Sequence, residues 1–300
     1  MTAVHVEHAI GALRERLASL REDRVVGLVP TMGALHDGHT RLIERARSEC
    51  DVVAVSIFVN PLQFDRADDL ARYPRTLDAD LVICERHGVD VVFAPGAAEV
   101  YPRPPSCTVD VGQLADYLCG PHRPGHFKGV ATVVLKLFEI VEPDRAYFGQ
   151  KDAQQLAIIR AMAKDFNLPI AIVGIPTVRE ADGLALSSRN RHLSAAEREV
   201  APSLYRALQV ARQLIEGGEI DPSTVIATAA LEIPPIPEVR LEYLEIVDPQ
   251  TLHPVSSIAG EILVAGALWV GATRLIDNLV CTPRNHRANS TRSNSTRSNP

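Results

Sequence analysis

Short apolar runs that alternate with helix-like segments constrain the fold of this chain more than any other feature. The clearest run, VVAVSIFV at 52–59, is rich in β-branched residues and typical of a buried strand. Strands are also predicted at 25–29, 89–93, near Ala146 and at 170–175, and helices at 6–20, 38–47, 77–87, 130–141 and 153–166. Nearly continuous apolar strands separated by helices indicate parallel βαβ units. The predicted fold class is therefore α/β, with a Rossmann-like parallel sheet.

The pattern changes after residue 176. Helices are predicted over 195–215 and 222–231, and strands over 239–247, 262–270 and 273–276. We therefore predict a Rossmann-like domain over 1–177 and a smaller α+β lid or C-terminal domain over 178–283. Residues 284–300 contain the repeat STRSN twice and almost no apolar side chain, which predicts a disordered tail.

Charge and cysteine content exclude several classes of function. The chain has 37 acidic and 31 basic residues and a formal charge of −6, which argues against nucleic acid or anionic membrane as a general partner. No apolar run approaches the roughly 20 residues of a membrane span, and the N-terminal 20 residues lack the apolar core of a signal peptide. Five cysteines without a CxxC pair do not suggest a disulfide framework or a zinc site. These features predict a cytoplasmic protein.

The segment PTMGALHDGHT, at 30–40, joins a predicted strand to a predicted helix. Its glycines allow close approach of the backbone to a ligand, and helix N-terminal amides attract anions. The spacing from Gly33 to Thr40 is similar to a phosphate-binding P-loop, except that His39 stands in place of lysine. A histidine there could stabilise charge that develops during phosphoryl transfer. The alternative is a tight turn with two incidental histidines.

Two further segments place amide side chains directly after predicted strands. FVNPLQF, at 58–64, ends the strongest strand and offers Asn60 and Gln63 as neutral hydrogen-bonding groups, although Asn-Pro is also a common turn starter. FGQKDAQQ, at 148–155, places Lys151 at a helix start, where the helix dipole disfavours a cation unless an anion is bound. Gln155 lies four residues later on the same helix face. A solvent-exposed lysine is the alternative there.

Two Pro- and Gly-containing loops offer cations. RPGHFKG, at 123–129, has three of them, which could meet an anion or simply form a surface loop. The segment 176–190 contains Ser187, Ser188 and Arg189 near its end, a combination suited to a mobile phosphate clamp. It could instead be a loop that caps the following helix.

Considered together, these segments resemble one family. PTMGALHDGH, FVNPLQF, YPRT, RPGHFKG, FGQKDAQQL and PTVREADGLALSSRN occur in the order found in the pantoate–β-alanine ligase (pantothenate synthetase) family of the nucleotidylyltransferase superfamily. HDGH resembles the HxGH signature of that superfamily, and LSSRN resembles its mobile phosphate-contacting segment. The resemblance covers nearly the whole chain except the tail.

The resemblance implies an activity and a set of ligands. The expected reaction is the ATP-dependent condensation of (R)-pantoate with β-alanine to pantothenate through a pantoyl adenylate, with release of AMP and pyrophosphate. ATP is then a substrate, Mg²⁺ accompanies it, and the expected assembly is a homodimer with a Rossmann-like N-terminal domain.

The resemblance also assigns roles to residues at matching positions. ATP contacts are expected from Met32, Gly33, Ala34, Leu35, His36, Asp37, Gly38, His39, Gly149, Gln150, Lys151, Asp152, Val178, Leu186, Ser187, Ser188 and Arg189. The catalytic residues among them are His36, His39, Lys151, Ser187, Ser188 and Arg189. Pantoate is expected on Gln63 and Gln155, and β-alanine on Gln63. Asp80 is the candidate metal ligand. Leu186 and Gln150 depart from the Met and Glu common in the family.

Other functions remain open at this point. The HxGH-like loop also suits an enzyme that forms an aminoacyl adenylate or a nucleotide coenzyme, for which the two amide-bearing segments are the discriminating features. A non-enzymatic nucleotide- or RNA-binding module is disfavoured by the acidic charge balance. A dehydrogenase is disfavoured because no GxGxxG follows a predicted strand.

Overall fold

The computed structural model describes residues 4–283, which form two compact units. Residues 4–116, 120–178 and 186–188 form the first, and residues 117–119, 179–185 and 189–283 form the second. The observed division differs from the predicted boundary after residue 177 in three places. Residues 117–119 belong to the second unit, whereas Val178 and residues 186–188 belong to the first. The predicted tail at 284–300 lies outside the described residues.

The first unit contains a six-stranded parallel sheet. Its strands are β1 (His5–Glu7), β2 (Val26–Thr31), β3 (Val52–Ile57), β4 (Val91–Phe93), β5 (Arg145–Gly149) and β6 (Ala171–Ile175). Its helices are α1 (Ile10–Leu20), α2 (Asp37–Glu49), α3 (Ala67–Arg72), α4 (Leu77–Arg86), α5 (Ala97–Val100), α6 (His126–Val141) and α7 (Ala153–Asp165). The predicted α/β class of this domain is confirmed.

The order of the strands defines where a ligand can bind. The sheet runs β1-β4-β3-β2-β5-β6, so the chain proceeds outward from β2 through β3 in one direction and from β5 to β6 in the other. Loops that follow the carboxyl ends of β2 and β5 therefore diverge and leave a crevice, which is the usual ligand position in open α/β sheets. The segments after these two strands are the predicted HDGH loop and the predicted GQKD turn.

The core of the first unit explains why these segments fold as they do. α2 buries Leu42, Ile43 and Ala46, which lie on one helix face, against Val53 and Val55 of β3. All six residues of β3 except the last are buried, as expected for a strand covered on both faces.

The second unit combines helices with a three-stranded antiparallel sheet of order β7-β8-β9. Its elements are α8 (Ala195–Val200), α9 (Ser203–Gly217), α10 (Pro222–Ala230), β7 (Val239–Val247), β8 (Ile262–Val270) and β9 (Thr273–Cys281). Leu208, Ala211 and Ile215 of α9 are fully buried in a core shared with Ile246 and Val264 of the sheet. The α+β character predicted for this domain is confirmed.

Three predicted elements differ from the structure. Val6 belongs to β1, not to the first helix, because it pairs with Val92 at the edge of the sheet. The predicted helix at 195–215 is two helices, since Pro202 lacks the N–H that would continue the first one. The last strand extends to Cys281, because its whole length pairs with β8.

Among residues 4–283, no helix is both long and apolar enough to cross a membrane.

Candidate active site

A buried carboxylate holds the loop that follows β2. Gly33 has a φ of +81° and Ala34 a φ of +50°. The backbone N–H of Ala34 donates to Asp80 Oδ2 at 3.0 Å, and that of Leu35 donates to Asp80 Oδ1 at 2.8 Å. A Cβ at position 33 would lie 2.9 Å from Asp80 Oδ2. Glycine is therefore required at position 33 both for its φ and for the space that Asp80 occupies.

Asp80, the candidate metal ligand, is engaged by the protein's own backbone and by Thr76. Its side chain is 1% exposed, and both oxygens already accept hydrogen bonds, Oδ2 also from Thr76 Oγ1 at 3.3 Å. Across the described range 4–283, no group of three or more His, Cys, Asp or Glu side chains is arranged to hold a metal ion. In this structure the carboxylate anchors the glycine loop.

Two histidines begin α2 and engage its first amides. The N–H of Gly38 donates to His36 Nδ1 at 3.1 Å, and the N–H of His36 donates to His39 Nδ1 at 3.3 Å. The two rings lie 4.1 Å apart between centroids. A Cβ at position 38 would approach His36 Cε1 to 2.8 Å, so this residue must also be small. Both histidine side chains are therefore held in place by the helix start.

His39 is neutral at physiological pH. Desolvation by the surrounding protein, together with the neighbouring His36 and Lys151, lowers the pKa of His39 to about 3. Because Nδ1 accepts a hydrogen bond, the single proton of the neutral ring lies on Nε2. His39 therefore offers an uncharged Nε2–H donor at the N terminus of α2.

Lys151 lies near His39, in the turn that follows the neighbouring strand β5. A 3₁₀ turn over Gln150–Asp152 links β5 to α7. Lys151 lies close enough to His39 for its charge to lower the pKa of that histidine. The structure thus brings together two of the loops that the sequence singled out.

Gln63 lies in a 3₁₀ turn after β3, and its side-chain amide is held in place. Asn60 Nδ2 donates to Gln63 Oε1 at 2.9 Å, and Gln63 Nε2 donates to Met32 Sδ at 3.1 Å. Asn60 Oδ1 in turn accepts from Tyr101 Oη at 3.0 Å. Since a thioether is a weak acceptor, the Gln63 N–H beside Met32 can be redirected to a stronger acceptor with little loss. Gln63 therefore joins the amide segment to the loop after β2.

Two predicted cations of the loop RPGHFKG, Arg123 and His126, support Gln63. His126 Nδ1 donates to the backbone oxygen of Gln63 at 2.7 Å, and Arg123 Nη2 donates to the same oxygen at 3.3 Å. Arg123 also forms an ion pair with Asp65 at 3.2 Å. Burial and the adjacent Arg123 lower the pKa of His126 to about 4. Two of the three predicted cations are thus a neutral ring and a paired guanidinium that position Gln63.

The two glutamines at the start of α7 have different environments. Gln154 is buried and donates to the backbone oxygen of Leu114 at 2.8 Å. Gln155, the predicted pantoate residue, is half-buried. It lies one helical turn after Lys151.

The remaining predicted ATP residues lie at the same edge of the sheet or in the segment after β6. A cavity of about 480 Å³ lies between α2 and the end of α4, and its lining includes Leu35, His36, Asp37 and Val178 as well as Arg41, Glu44, Ile83, Arg86 and His87. Gly149 ends β5. The N–H of Leu186 donates to the oxygen of Val178 at 3.0 Å within the first unit. Ser187 and Ser188 belong to the first unit, whereas Arg189 belongs to the second.

The sequence did not reveal that Tyr101 and Gly129 help to orient Gln63. Tyr101 precedes a proline-rich stretch and carried no motif, yet its hydroxyl fixes Asn60. Gly129 allows α6 to pack on the turn, because a Cβ there would meet the Leu62 oxygen at 2.1 Å. A glycine inside an apolar helix is the one signal that could have indicated this close approach.

The fold and the site define a class of protein. A parallel sheet that reverses its order at β2 and β5, with a glycine- and histidine-containing helix start at that point, is typical of nucleotide-binding α/β enzymes. The sequence profile described as pantoate-β-alanine ligase matches residues 5–280. The chain belongs to the pantoate–β-alanine ligase family, a family of ligases.

Curated relatives agree with this membership. A pantothenate synthetase of Heliobacterium modesticaldum is 54% identical over 275 residues, which cover 90% of this chain and 98% of that protein. A bifunctional pantoate ligase/cytidylate kinase of Synechococcus sp. strain JA-3-3Ab is also 54% identical, over 91% of this chain. The chain spans about half the length of such bifunctional relatives, 52% in this case.

Solved structures agree as well. The pantothenate synthetase of Thermus thermophilus superposes with a TM-score of 0.87 at 46% identity, covering 92% of this chain and 99% of that one. The pantoate-β-alanine ligase of Francisella tularensis, solved with beta-gamma ATP and β-alanine, has a TM-score of 0.77 at 35% identity. It covers 93% of this chain and 98% of that one.

Proposed function

We propose that the chain catalyses the reaction for which its family is named, the ATP-dependent condensation of (R)-pantoate with β-alanine. Family membership supports the reaction. The observation that carries the proposal within the site is the contact of Gln63 Nε2 with Met32 Sδ, which sets a neutral amide beside the glycine–histidine loop. A nucleotide on that loop would have its α-phosphate next to a group able to hold a small hydroxy acid.

ATP is proposed to bind across the reversal of the sheet. The backbone of residues 32–39 and the turn Gly149–Asp152 would surround the phosphates and ribose, with Val178 and Leu186 near the base. Uncharged His39 and its neighbour His36 would donate to phosphate oxygens, and Lys151 would add positive charge. Ser187, Ser188 and Arg189 would contribute further donors from the segment after β6.

Pantoate and β-alanine are proposed to share the amide side of the site. Gln63 and Gln155 would bind the hydroxyls and carboxylate of pantoate, and Gln63 would face the incoming β-alanine. Neutral amides suit this task because they orient a carboxylate without neutralising it, so that it remains a nucleophile.

The reaction would proceed in two balanced steps. A carboxylate oxygen of pantoate attacks the α-phosphorus of ATP, the bond to the β-phosphate oxygen breaks, and pyrophosphate leaves. The amine of β-alanine then attacks the carbonyl carbon of the pantoyl adenylate, loses a proton, and expels AMP. In each step negative charge builds up on the phosphate oxygen of the leaving group, which is the charge that the donors of this site would stabilise.

The proposal also includes a role for Mg²⁺, a homodimeric assembly and a cytoplasmic location. Mg²⁺ is often held chiefly by substrate phosphates, so we propose that it arrives with ATP and not on Asp80, whose oxygens are already used. When bound, it would neutralise charge on the phosphates. The proposed homodimer rests on the family resemblance, and the proposed cytoplasmic location rests on the sequence features described above.

The experiment that tests the reaction separates its two steps. The protein is incubated with ATP, Mg²⁺ and pantoate, with and without β-alanine. We expect exchange of labelled pyrophosphate into ATP with pantoate alone, and pantothenate with AMP only when β-alanine is added. Exchange that depends on an amino acid or a nucleotide precursor instead of pantoate would refute the proposal.

A variant pair tests the role of Gln63. Gln63→Ala is expected to raise the KM for pantoate while leaving the affinity for ATP unchanged, since the amide is proposed to contact pantoate. Gln250→Ala, the same change at an exposed turn, is the matched control. Unchanged pantoate affinity in Gln63→Ala by calorimetry would remove the assignment.

A further inference from the structure

The hairpin at 179–185 comes immediately before the segment Leu186–Arg189 that is proposed to contact ATP. Arg179 and Ala185 form an antiparallel bridge. The N–H of Glu180 donates to the oxygen of Leu184 at 2.8 Å, and Gly183 closes the turn with a φ of +93°. The hairpin is therefore a short, closed structure from whose end the phosphate-contacting segment departs.

A buried ion pair fastens this hairpin to the sheet of the second unit. Arg179 Nη1 and Nη2 donate to the two carboxylate oxygens of Asp277, in β9, at 2.5 and 2.9 Å. The side chains are 16% and 4% exposed. Nη1 also donates to the oxygen of Gly183 at 3.1 Å. The guanidinium thus ties the first strand of the hairpin and its turn to β9, a geometry that lysine could not reproduce.

Tyr205 packs against the same hairpin from α9. The Arg179 guanidinium lies 4.1 Å from the centre of the Tyr205 ring. A Cβ at position 183 would approach Tyr205 Cδ1 to 2.0 Å, so the turn rests directly on the ring. Arg179 is consequently enclosed by a carboxylate, a backbone oxygen and an aromatic face, and its charge is used within the second unit.

Asn190 closes the segment from its other end. Its Nδ2 donates to the oxygen of Ala185 at 3.1 Å and to Glu180 Oε1 at 3.2 Å. Residues 185 and 190 are thus joined across the four residues between them, which are Leu186, Ser187, Ser188 and Arg189. A loop of this length that is fixed at both ends has far fewer conformations than a free one.

We propose that Arg179, Asp277 and Asn190 are positioning residues that fix the direction of the Ser187–Arg189 segment. They touch no substrate in this proposal; they act by reducing the conformational freedom of the donors that do. Only the kinetic prediction of this inference rests on the proposed function. How well ordered the Ser187–Arg189 segment is can be measured by hydrogen exchange without turnover.

The chain offers a matched control for the buried ion pair. Arg274 and Glu242 form a second ion pair of the same unit, with side chains 14% and 8% exposed. Their other partners, Trp269 and Cys119, lie outside residues 179–190. Asp277→Asn and Glu242→Gln each remove one charge from a buried ion pair. Only Asp277→Asn affects the pair that fastens the hairpin to β9.

Hydrogen exchange is measured over residues 185–190, and steady-state kinetics over ATP and pantoate. We expect faster exchange and a kcat lower by about tenfold to a hundredfold in Asp277→Asn, with the KM for pantoate unchanged, because misplaced donors impair the transition state. Glu242→Gln, even with an equal loss of Tm, should change neither quantity. Asn190→Ala, at a half-buried position, provides the second variant if Asp277→Asn does not fold.

Two results would overturn the inference. The first is hydrogen exchange over residues 185–190 that is equally fast in the hairpin variants and in Glu242→Gln. The second is a kcat that falls by the same factor in the hairpin variants and in Glu242→Gln when their Tm values match. A wild-type protein that makes no pantothenate would instead remove the proposed function, and the exchange measurement alone would then decide the inference.

Discussion

Two histidines of the candidate site are neutral because of the protein around them. His39 and His126 are desolvated and lie near the positive charges of Lys151 and Arg123, and their pKa values fall to about 3 and about 4. Each ring then has one proton with a defined place. On His39 it lies on Nε2, and on His126 it lies on Nδ1 and binds the Gln63 oxygen.

The first residue-scale prediction concerns His39. His39→Ala should lower kcat for pyrophosphate release by roughly 10²–10³, the usual effect of losing one preorganised donor. His39→Gln should retain more activity, because its side-chain N–H can occupy a position near that of Nε2. Steady-state kinetics of both variants, with circular dichroism as a check of folding, measure the difference.

The pH dependence provides an independent check of His39. With a pKa of about 3, this histidine does not change charge between pH 5 and 8. A wild-type acid limb near pH 6.5 that disappears in His39→Gln would contradict the neutral-donor assignment. Wild-type turnover in His39→Ala would contradict its part in the reaction altogether.

The second residue-scale prediction concerns stability. The pKa of His126 is about 4 in the folded state and 6.5 in a model peptide, so the unfolded chain binds more protons between these values. The free energy of unfolding should therefore decrease as the pH falls from about 6.5 to 4, by up to about 1.4 kcal/mol per pH unit. His126→Asn keeps a donor to Gln63 and lacks this titration.

Urea unfolding at pH 7, 6 and 5 tests this linkage. The wild type should lose stability more steeply than His126→Asn as the pH falls. Parallel curves for the two proteins would show that His126 is not the group responsible.

Residue types at the site could be predicted from the sequence, whereas their supports could not. HDGH, Gln63 and Lys151 stand beside predicted strands, whose carboxyl ends are the usual ligand position in such sheets, and the resemblance to one family grouped them. Tyr101 lies 41 residues from its partner Asn60. Asp80 looked like a metal ligand because a carboxylate has several uses, and only its two backbone partners distinguish an anchor from a ligand.

At the scale of elements, the packing of α6 on the turn of Gln63 depends on one glycine. Gly129→Ala should displace the turn, since a Cβ would meet the Leu62 oxygen at 2.1 Å and the Gln63 nitrogen at 2.8 Å. We expect a higher KM for pantoate and a lower Tm, although alanine is the better helix former.

Gly11→Ala is the matched control for this prediction. Gly11 also lies in a helix, α1, and a Cβ there would have no atom within 4 Å. It should keep full activity and gain about 0.5–1 kcal/mol of stability. Equal effects of the two substitutions on pantoate KM would show that α6 does not position Gln63.

The sequence predicted which helices and strands exist better than it predicted where they begin and end. β3 and β8 were predicted because their apolar runs are buried along almost the whole length. The break at Pro202 was missed because the apolar spacing continues through it into α9. β1 was missed because a three-residue edge strand carries too little pattern to separate it from the helix that follows.

At the scale of the whole molecule, each unit has its own core. The parallel sheet packs on α2 and α4 in the first unit, and the antiparallel sheet packs on α9 and α10 in the second. The chain passes between the units at several points, since residues 117–119, 179–185 and 186–188 alternate between them. This alternation places Leu186–Ser188 and Arg189, neighbours in sequence, in different units.

The last prediction tests whether the two cores unfold separately. Leu208 is fully buried in the second unit, so Leu208→Ala should cost about 2–5 kcal/mol through lost burial and the cavity left behind. Hydrogen exchange should accelerate in β7 and β8, while β2 and β3 remain protected. Leu231→Ala, the same change at a residue 83% exposed in the same unit, should have little effect. If β2 and β3 lose protection equally, the chain crossings couple the two cores into one cooperative structure. Arg189 would then be ordered by the first unit as much as by the second unit, to which it belongs.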